Sequence, residues 1–106
     1  MCVFCDPKQI KSQITYIDDC MIFTPLNPVV EGHLLVVPVK HVSDFTSDLY
    51  VTAKVVAVAS TLAHNIGGDF NIISSKGSLA TQTINHLHFH LVPRRENDNL
   101  KLPWSA

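Results

Sequence analysis

The sequence predicts a single α+β domain built on a five-stranded antiparallel sheet with one long and one short helix, and three observations carry that reading. Short β-branched runs follow one another with turn residues between them, one 19-residue stretch repeats its apolar residues at helical spacing, and no repeat or linker divides the 106 residues. With 46% hydrophobic and 16% charged residues, the chain has the side chains for one compact core.

The elements are justified in order. A short helix is expected near Asp6 to Gln13. Thr15 to Ile17 and Cys20 to Thr24, separated by Asp18-Asp19, form a hairpin, and His33 to Val37 is a β-branched strand enclosed by Gly32 and Pro38. From Ser47 to Asn65, Leu49, Ala53, Val56, Ala59 and Ala63 recur at helical spacing; Ser47 or Thr46 caps the start and Gly67-Gly68 ends it. The stretch is rich in valine, which disfavours helix, but it is too long for an ordinary strand. Phe70 to Ser74 is a fourth strand, and Thr83 to Val92 is a fifth, stopped by Pro93. Residues 1–94 make the domain, and 95–106 form a polar tail ending in Leu102-Pro103-Trp104 and two further residues.

A formal charge of −1 supplies no basic field for a nucleic-acid polymer. Neither an apolar run of about 18 residues nor a signal-like N-terminus is written in the chain, so no membrane partner is expected and the cytoplasm is the expected location. Cys2 and Cys5 form a Cys-x-x-Cys pair, which without a signal peptide points to metal or redox chemistry, whereas Cys20 beside Met21 and Ile22 is expected in the core.

Six histidines are present, and three alternate with apolar residues in His86-Leu87-His88-Phe89-His90-Leu91-Val92. On a strand, the period of two sends His86, His88 and His90 to one face and Leu87, Phe89 and Leu91 to the other. Alternate imidazoles then stand about 6 to 7 Å apart, within reach of one substrate or one metal. Two chemistries fit that pattern. Imidazoles can ligate zinc and leave a position for water, or one ring can attack phosphorus while a second protonates the leaving group or steadies a phosphate oxygen.

The segment His86 to Val92 resembles the defining motif of the histidine triad superfamily of nucleotide hydrolases and transferases. The likeness extends through Cys2-Val-Phe-Cys, Asn27-Pro-Val-Val-Glu-Gly-His-Leu-Leu-Val-Val-Pro, Phe70-Asn71, Gln82-Thr83 and Pro93-Arg94. It implies a nucleotide hydrolase or nucleotidyl transferase acting at an α-phosphate through a covalent nucleotidyl-histidine. His88 would be the nucleophile, with its other ring nitrogen held by a main-chain carbonyl near His86. His90 would contact the transferred phosphate, Gln82 and Thr83 the phosphate and leaving-group oxygens, and His33 would sit behind the triad. Phe4, Phe23 and Leu26 match base-pocket positions, and Ser75 lies in the phosphate loop.

By the same resemblance, Cys2, Cys5, His41 and His86 correspond to the zinc ligands of the zinc-bearing branch, a closed structural set of two thiolates and two imidazoles, with no catalytic metal. A two-fold homodimer is implied, with the tail near the active site or a partner subunit. Three positions depart from the pattern. Pro25 stands where relatives carry an Asp or Asn for the ribose hydroxyls, and its side chain offers neither donor nor acceptor. Ser75 and Thr81 replace the usual Asn and Gly; a β-branched residue resists positive φ, so the phosphate loop is expected to take another path. The competing readings are a metal-dependent hydrolase that uses the triad as ligands, and a nucleotide-binding protein without turnover.

Overall fold

The computed structural model describes residues 2–105; Met1 and Ala106, at the two ends of the expected domain and tail, lie outside the described residues. Strands β1 (Thr15–Ile17), β2 (Cys20–Phe23), β3 (Leu34–Pro38), β4 (Asp69–Ile73) and β5 (Phe89–Arg94) form one antiparallel sheet in the order β1-β2-β3-β5-β4, and helix α1 (Leu49–Ile66) crosses between β3 and β4. Asp18 and Asp19 turn the first hairpin with φ of 46° and 61°, the paired left-handed conformation whose twist suits a two-residue hairpin turn.

The two central strands β2 and β3 are buried on both faces, and alternation divides their side chains between two apolar layers. Cys20, Ile22 and Val36 meet Val55, Val58 and Ala59 of α1, together with Leu87 and Phe89. Met21, Phe23, Leu35 and Val37 point the other way and are covered by Phe4, with Ile10, Ile14 and Ile84 packed beside them. This second layer, opposite α1, is where the site forms.

Several local expectations are corrected. The N-terminal segment makes two 3-10 turns, Val3–Cys5 and Pro7–Gln9, in place of one helix. The chain then extends so that Ile10 and Ile14 reach the second layer, and Ser12 Oγ donates to Thr24 O at 2.7 Å. Helix α1 is capped by Asp48, whose carboxylate accepts from the Tyr50 and Val51 N–H groups, rather than by Ser47 or Thr46. Its inward stripe is Val51, Val55, Val58, Ala59 and Leu62, so Leu49, Ala53 and Val56 of the expected stripe lie outside. By length and hydropathy α1 could cross a membrane, but its inward stripe packs on the sheet as a core helix.

The largest correction concerns the histidine segment, since β5 starts at Phe89 rather than Thr83 and runs through Pro93 to Arg94. Residues 86–88 satisfy their backbone outside any ladder. Leu87 N–H donates to Val42 O, His88 Nδ1–H to His86 O at 2.8 Å, and Ser74 Oγ–H to His88 O at 2.7 Å. Leu87, Phe89 and Leu91 enter the core as the alternation requires.

Leu91 is fully buried at the middle of β5, between Leu34 of β3 and Ile72 of β4. Leu91→Ala is expected to lower unfolding free energy by about 3 kcal/mol in urea titration, the usual cost of emptying such a site. In the same assay Asp48→Ala lowers the midpoint, whereas Ser47→Ala leaves it nearly unchanged.

Candidate active site and metal centre

Each imidazole of the triad has a neighbour that decides which nitrogen carries its proton. His86 is fully buried rather than displayed, because its Nε2–H donates to Pro38 O at 2.8 Å and its Nδ1 lone pair is turned toward the N-terminal cysteines. His88 is reversed: Nδ1–H is consumed by the His86 carbonyl, which leaves Nε2 as a free lone pair. The third ring is set by a relay. Val29 N–H donates to His33 Nδ1 at 3.1 Å, so a neutral His33 carries its proton on Nε2 and donates it to His90 Nδ1 at 2.9 Å. His90 therefore holds its own proton on Nε2.

Electrostatics keeps the relay neutral. Burial lowers the pKa of His33, and burial followed by the charges of His88 and His33 pushes His90 down to about 4. His86 is lowered as well, chiefly by burial, with the Pro38 carbonyl partly opposing and His41 and His88 adding to the depression. Phe4 presents its ring edge-on to both His86 and His88, at centroid distances of 5.9 and 5.3 Å, and so holds the two rings from the second layer.

His88 and His90, 5.3 Å apart at their ring centroids, open on a cavity of about 750 Å³. Phe4, Phe23, Leu26 and Thr83 line it, as does Pro25. No acidic side chain is among the lining residues. Three of the expected site residues stand elsewhere. Gln82 commits its whole amide to backbone: Oε1 accepts from Gly77 N–H, and Nε2 donates to Ser43 O and Ile84 O, which braces the loop. Ser75 does not line this cavity; its neighbour Ser74 holds the His88 carbonyl instead. His33 acts from behind, through His90.

In the phosphate loop the resistance of a β-branched residue to positive φ is overcome. Thr81 adopts φ 68° and ψ 24° at the end of the 3-10 turn Ser78–Ala80, so a β-branched residue occupies the left-handed position. Thr81 N–H bonds Ser78 O, Thr81 Oγ1–H bonds Ala80 O, and Gln82 N–H bonds Gly77 O; these contacts over-determine a conformation that costs roughly 1–3 kcal/mol on its own.

Cys2, Cys5, His41 and His86 gather their four donor atoms within 4.8 Å of one another. Cys2 Sγ lies 3.3 Å and Cys5 Sγ 3.5 Å from His86 Nδ1, Cys5 Sγ lies 3.1 Å from His41 Nδ1, and the two Nδ1 atoms are 3.2 Å apart. A tetrahedral ion with arms of about 2.3 Å to sulfur and 2.0 Å to nitrogen needs edges of about 3.3 to 3.8 Å, so this group could hold a metal ion. Cys5 sits above its ordinary pKa, through desolvation first and then through Cys2, and a dication is what reverses such a shift.

Sequence reasoning missed the anchorage of the tail. Arg94 donates to Asp98 through Nε (2.8 Å) and Nη2 (3.2 Å), to Asn71 Oδ1 (2.7 Å) and to Leu100 O (2.9 Å), while Asp98 also accepts from Arg95 and Leu100 N–H. These bonds hold the Asp98 carboxyl far below its usual range. Next to this clamp Gly32, at φ 89°, has Pro93 Cγ only 3.2 Å from where a Cβ would stand. The i, i+4 spacing of Arg94 and Asp98 was the available signal, though it would ordinarily suggest a helix.

Comparison with known proteins shows the family. The HIT domain family model matches residues 7–97. An uncharacterized HIT-like protein of Methanocaldococcus jannaschii is 36% identical over 92% of this chain and 82% of its own length. Adenosine 5'-monophosphoramidase of Saccharomyces cerevisiae is 32% identical over 99% of this chain and 70% of its own. The solved histidine triad protein of Clostridium difficile matches with a TM-score of 0.78 at 30% identity, covering 94% of this chain and 96% of that one. A donor-set of this kind beside a histidine triad, on this sheet and with these relatives, places the chain in the HIT family.

Nitrogen-15 imidazole NMR at pH 7 is expected to show the proton of His88 on Nδ1 and that of His90 on Nε2. His90 is neutral in the fold but takes a proton near pH 6.5 when unfolded, so its contribution to stability is present above that pH and is lost as pH falls from 6.5 toward 4. Urea midpoints of the parent fall from pH 7 to 4.5, a window above the carboxylate range, and His90→Asn flattens that slope.

Proposed function

We propose that the protein hydrolyses or transfers a nucleotidyl group at an α-phosphate, with His88 as nucleophile and a nucleoside phosphoramidate as the substrate class. One observation carries the reading: the His86 carbonyl pins the proton of His88 on Nδ1, so a ring that lines the cavity keeps its Nε2 lone pair free. The likeness to a monophosphoramidase supports the substrate class.

The chemistry follows from the tautomers. His88 Nε2 bonds to phosphorus as the bond from phosphorus to the leaving amine breaks; the amine departs with that electron pair and takes a proton from solvent, while the Nε2–H of the neutral His90 donates a hydrogen bond to a phosphate oxygen. Water or another acceptor then attacks phosphorus, His88 leaves with its lone pair restored, and the acceptor's proton passes to solvent. The hydrogen bond from His33 keeps His90 in the tautomer that presents this N–H. Thr83 lines the cavity beside the rings, and Phe4, Phe23 and Leu26 supply apolar surface for a base. Pro25 on the same wall contributes no ribose hydrogen bond.

Zinc is the ion that two thiolates and two imidazoles suit best, held by Cys2, Cys5, His41 and His86 in a structural role. It would tie the N-terminal turn to the carbonyl-bearing residue that orients His88. The reading that makes the triad itself a metal centre is disfavoured by placement, since the lone pair of His86 is turned toward the cysteines and that of His90 is taken by His33, which leaves His88 as the one ring of the three with a free lone pair. Binding without turnover, suggested by Pro25 and Thr81, is disfavoured by the free Nε2 lone pair of His88. A homodimer is supported by the open edge of β4, with Ile72 and Ile73 exposed, and by Leu49 and Tyr50 exposed on α1. The cytoplasm remains the proposed location.

His88→Ala is expected to fold, retain its metal and lose at least about a thousandfold in kcat/KM on adenosine 5'-phosphoramidate. Turnover by that variant at the parent rate would remove the nucleophile from the scheme. Cys5→Ser is expected to lose zinc by elemental analysis and to melt at a lower temperature.

A further inference from the structure

The first 3-10 turn is a short element with little to hold it in place. Among the described residues, the backbone hydrogen bonds of residues 2–10 stay within that segment: Cys5 N–H on Cys2 O at 3.1 Å, Asp6 N–H on Val3 O, Gln9 N–H on Asp6 O and Ile10 N–H on Pro7 O. What reaches from the turn into the domain is a thiol at either end, facing His86 and His41, and the ring of Phe4 between them. That ring is 5% exposed and stands across three others, with centroids 5.6 Å from Phe23, 5.9 Å from His86 and 5.3 Å from His88. No other aromatic ring among the described residues packs on both His86 and His88.

We propose that Phe4 is a positioning residue that couples the metal group to the nucleotide cavity, so that zinc and nucleotide each tighten the binding of the other. The inference rests on the zinc and nucleotide readings above. Phe4 follows one ligand of the metal group and precedes another, and its ring touches a third, His86. The same ring lines the larger cavity together with Phe23 and His88. An ion shared by Cys2, Cys5, His41 and His86 therefore fixes both ends of the turn that carries one wall of the cavity. A base seated on that wall fixes the same turn from the other side. Whichever ligand arrives first orders the turn, and the second meets a preorganised surface. A Leu at this position would fill the second layer but present no ring to His86 and His88.

Zinc affinity, measured by competition with a chromogenic chelator, decides the matter when it is compared with and without saturating adenosine monophosphate. The parent is expected to hold zinc about tenfold more tightly with the nucleotide present, within the usual range of couplings between two sites. Calorimetry should show the nucleotide Kd falling by the same factor on zinc loading, as linkage requires. In Phe4→Leu both ligands bind and the coupling drops below about threefold, while Leu26→Ala, which alters the same cavity away from these ring contacts, weakens the nucleotide and keeps the coupling near tenfold. The nitrogen-15 signals of His88 shift on zinc loading of the parent without nucleotide, and stay in place in Phe4→Leu. A parent whose zinc affinity ignores the nucleotide, full coupling in Phe4→Leu, or equal loss of coupling in Leu26→Ala overturns the proposal. Binding of both ligands without coupling leaves the zinc and nucleotide readings standing; absence of either ligand's binding removes its reading and the proposal together.

Discussion

The carbonyl of His86 is the group on which the rest of the site depends. It accepts the Nδ1 proton of His88 at 2.8 Å, and the same residue donates its own ring proton to Pro38 and turns Nδ1 toward two thiols and His41. One residue thereby joins the sheet, the N-terminal turn and the reactive ring. A neutral imidazole has one proton and one lone pair, so fixing the proton at one nitrogen fixes the nucleophile at the other. The relay from Val29 through His33 to His90 applies the same logic with opposite result, producing a hydrogen-bond donor whose ring centre lies 5.3 Å from that of His88. A nucleophile and a hydrogen-bond donor are thus made from identical side chains by their backbone surroundings.

Much of this was legible from residues alone, and the reasons differ by element. The alternation of Leu87, Phe89 and Leu91 marked the inward face, and the hairpin at Asp18-Asp19 and the burial of Cys20 followed from short-range signals. The extent of β5 was not legible, because whether residues 83–88 join a ladder depends on which partners lie opposite, and here Val42, Ser74 and the side chain of His88 satisfy their backbone instead. The helix stripe was misread because alanine and valine populate several faces of α1, so periodicity alone did not distinguish the Leu49 register from the Val51 register. Asp48 prevailed as cap over Ser47 since its carboxylate reaches two N–H groups at once.

The tail and the phosphate loop show where local preference yields to tertiary structure. Thr81 accepts a left-handed backbone that its branching opposes, held by the turn around it and by the Gln82 amide across the loop. Asn97 and Asn99 take the same region at φ of 60° and 61°, a lesser strain for asparagine, and let residues 95–100 wrap the Asp98 carboxylate. The resulting turn carries Leu100 to Leu102 over a smaller cavity that His33 and His90 also line, so a segment that reads as a polar appendage packs back on the domain.

The covalent two-step course is tested most directly by stereochemistry at phosphorus. Adenosine 5'-phosphoramidate made chiral with sulfur on its α-phosphorus is turned over in oxygen-18 water, and the configuration of the product is read by phosphorus NMR. Attack by His88 followed by attack of water inverts the centre twice, so net retention is expected. Net inversion would mean that water displaces the amine in a single step, with His88 serving only to position or activate it.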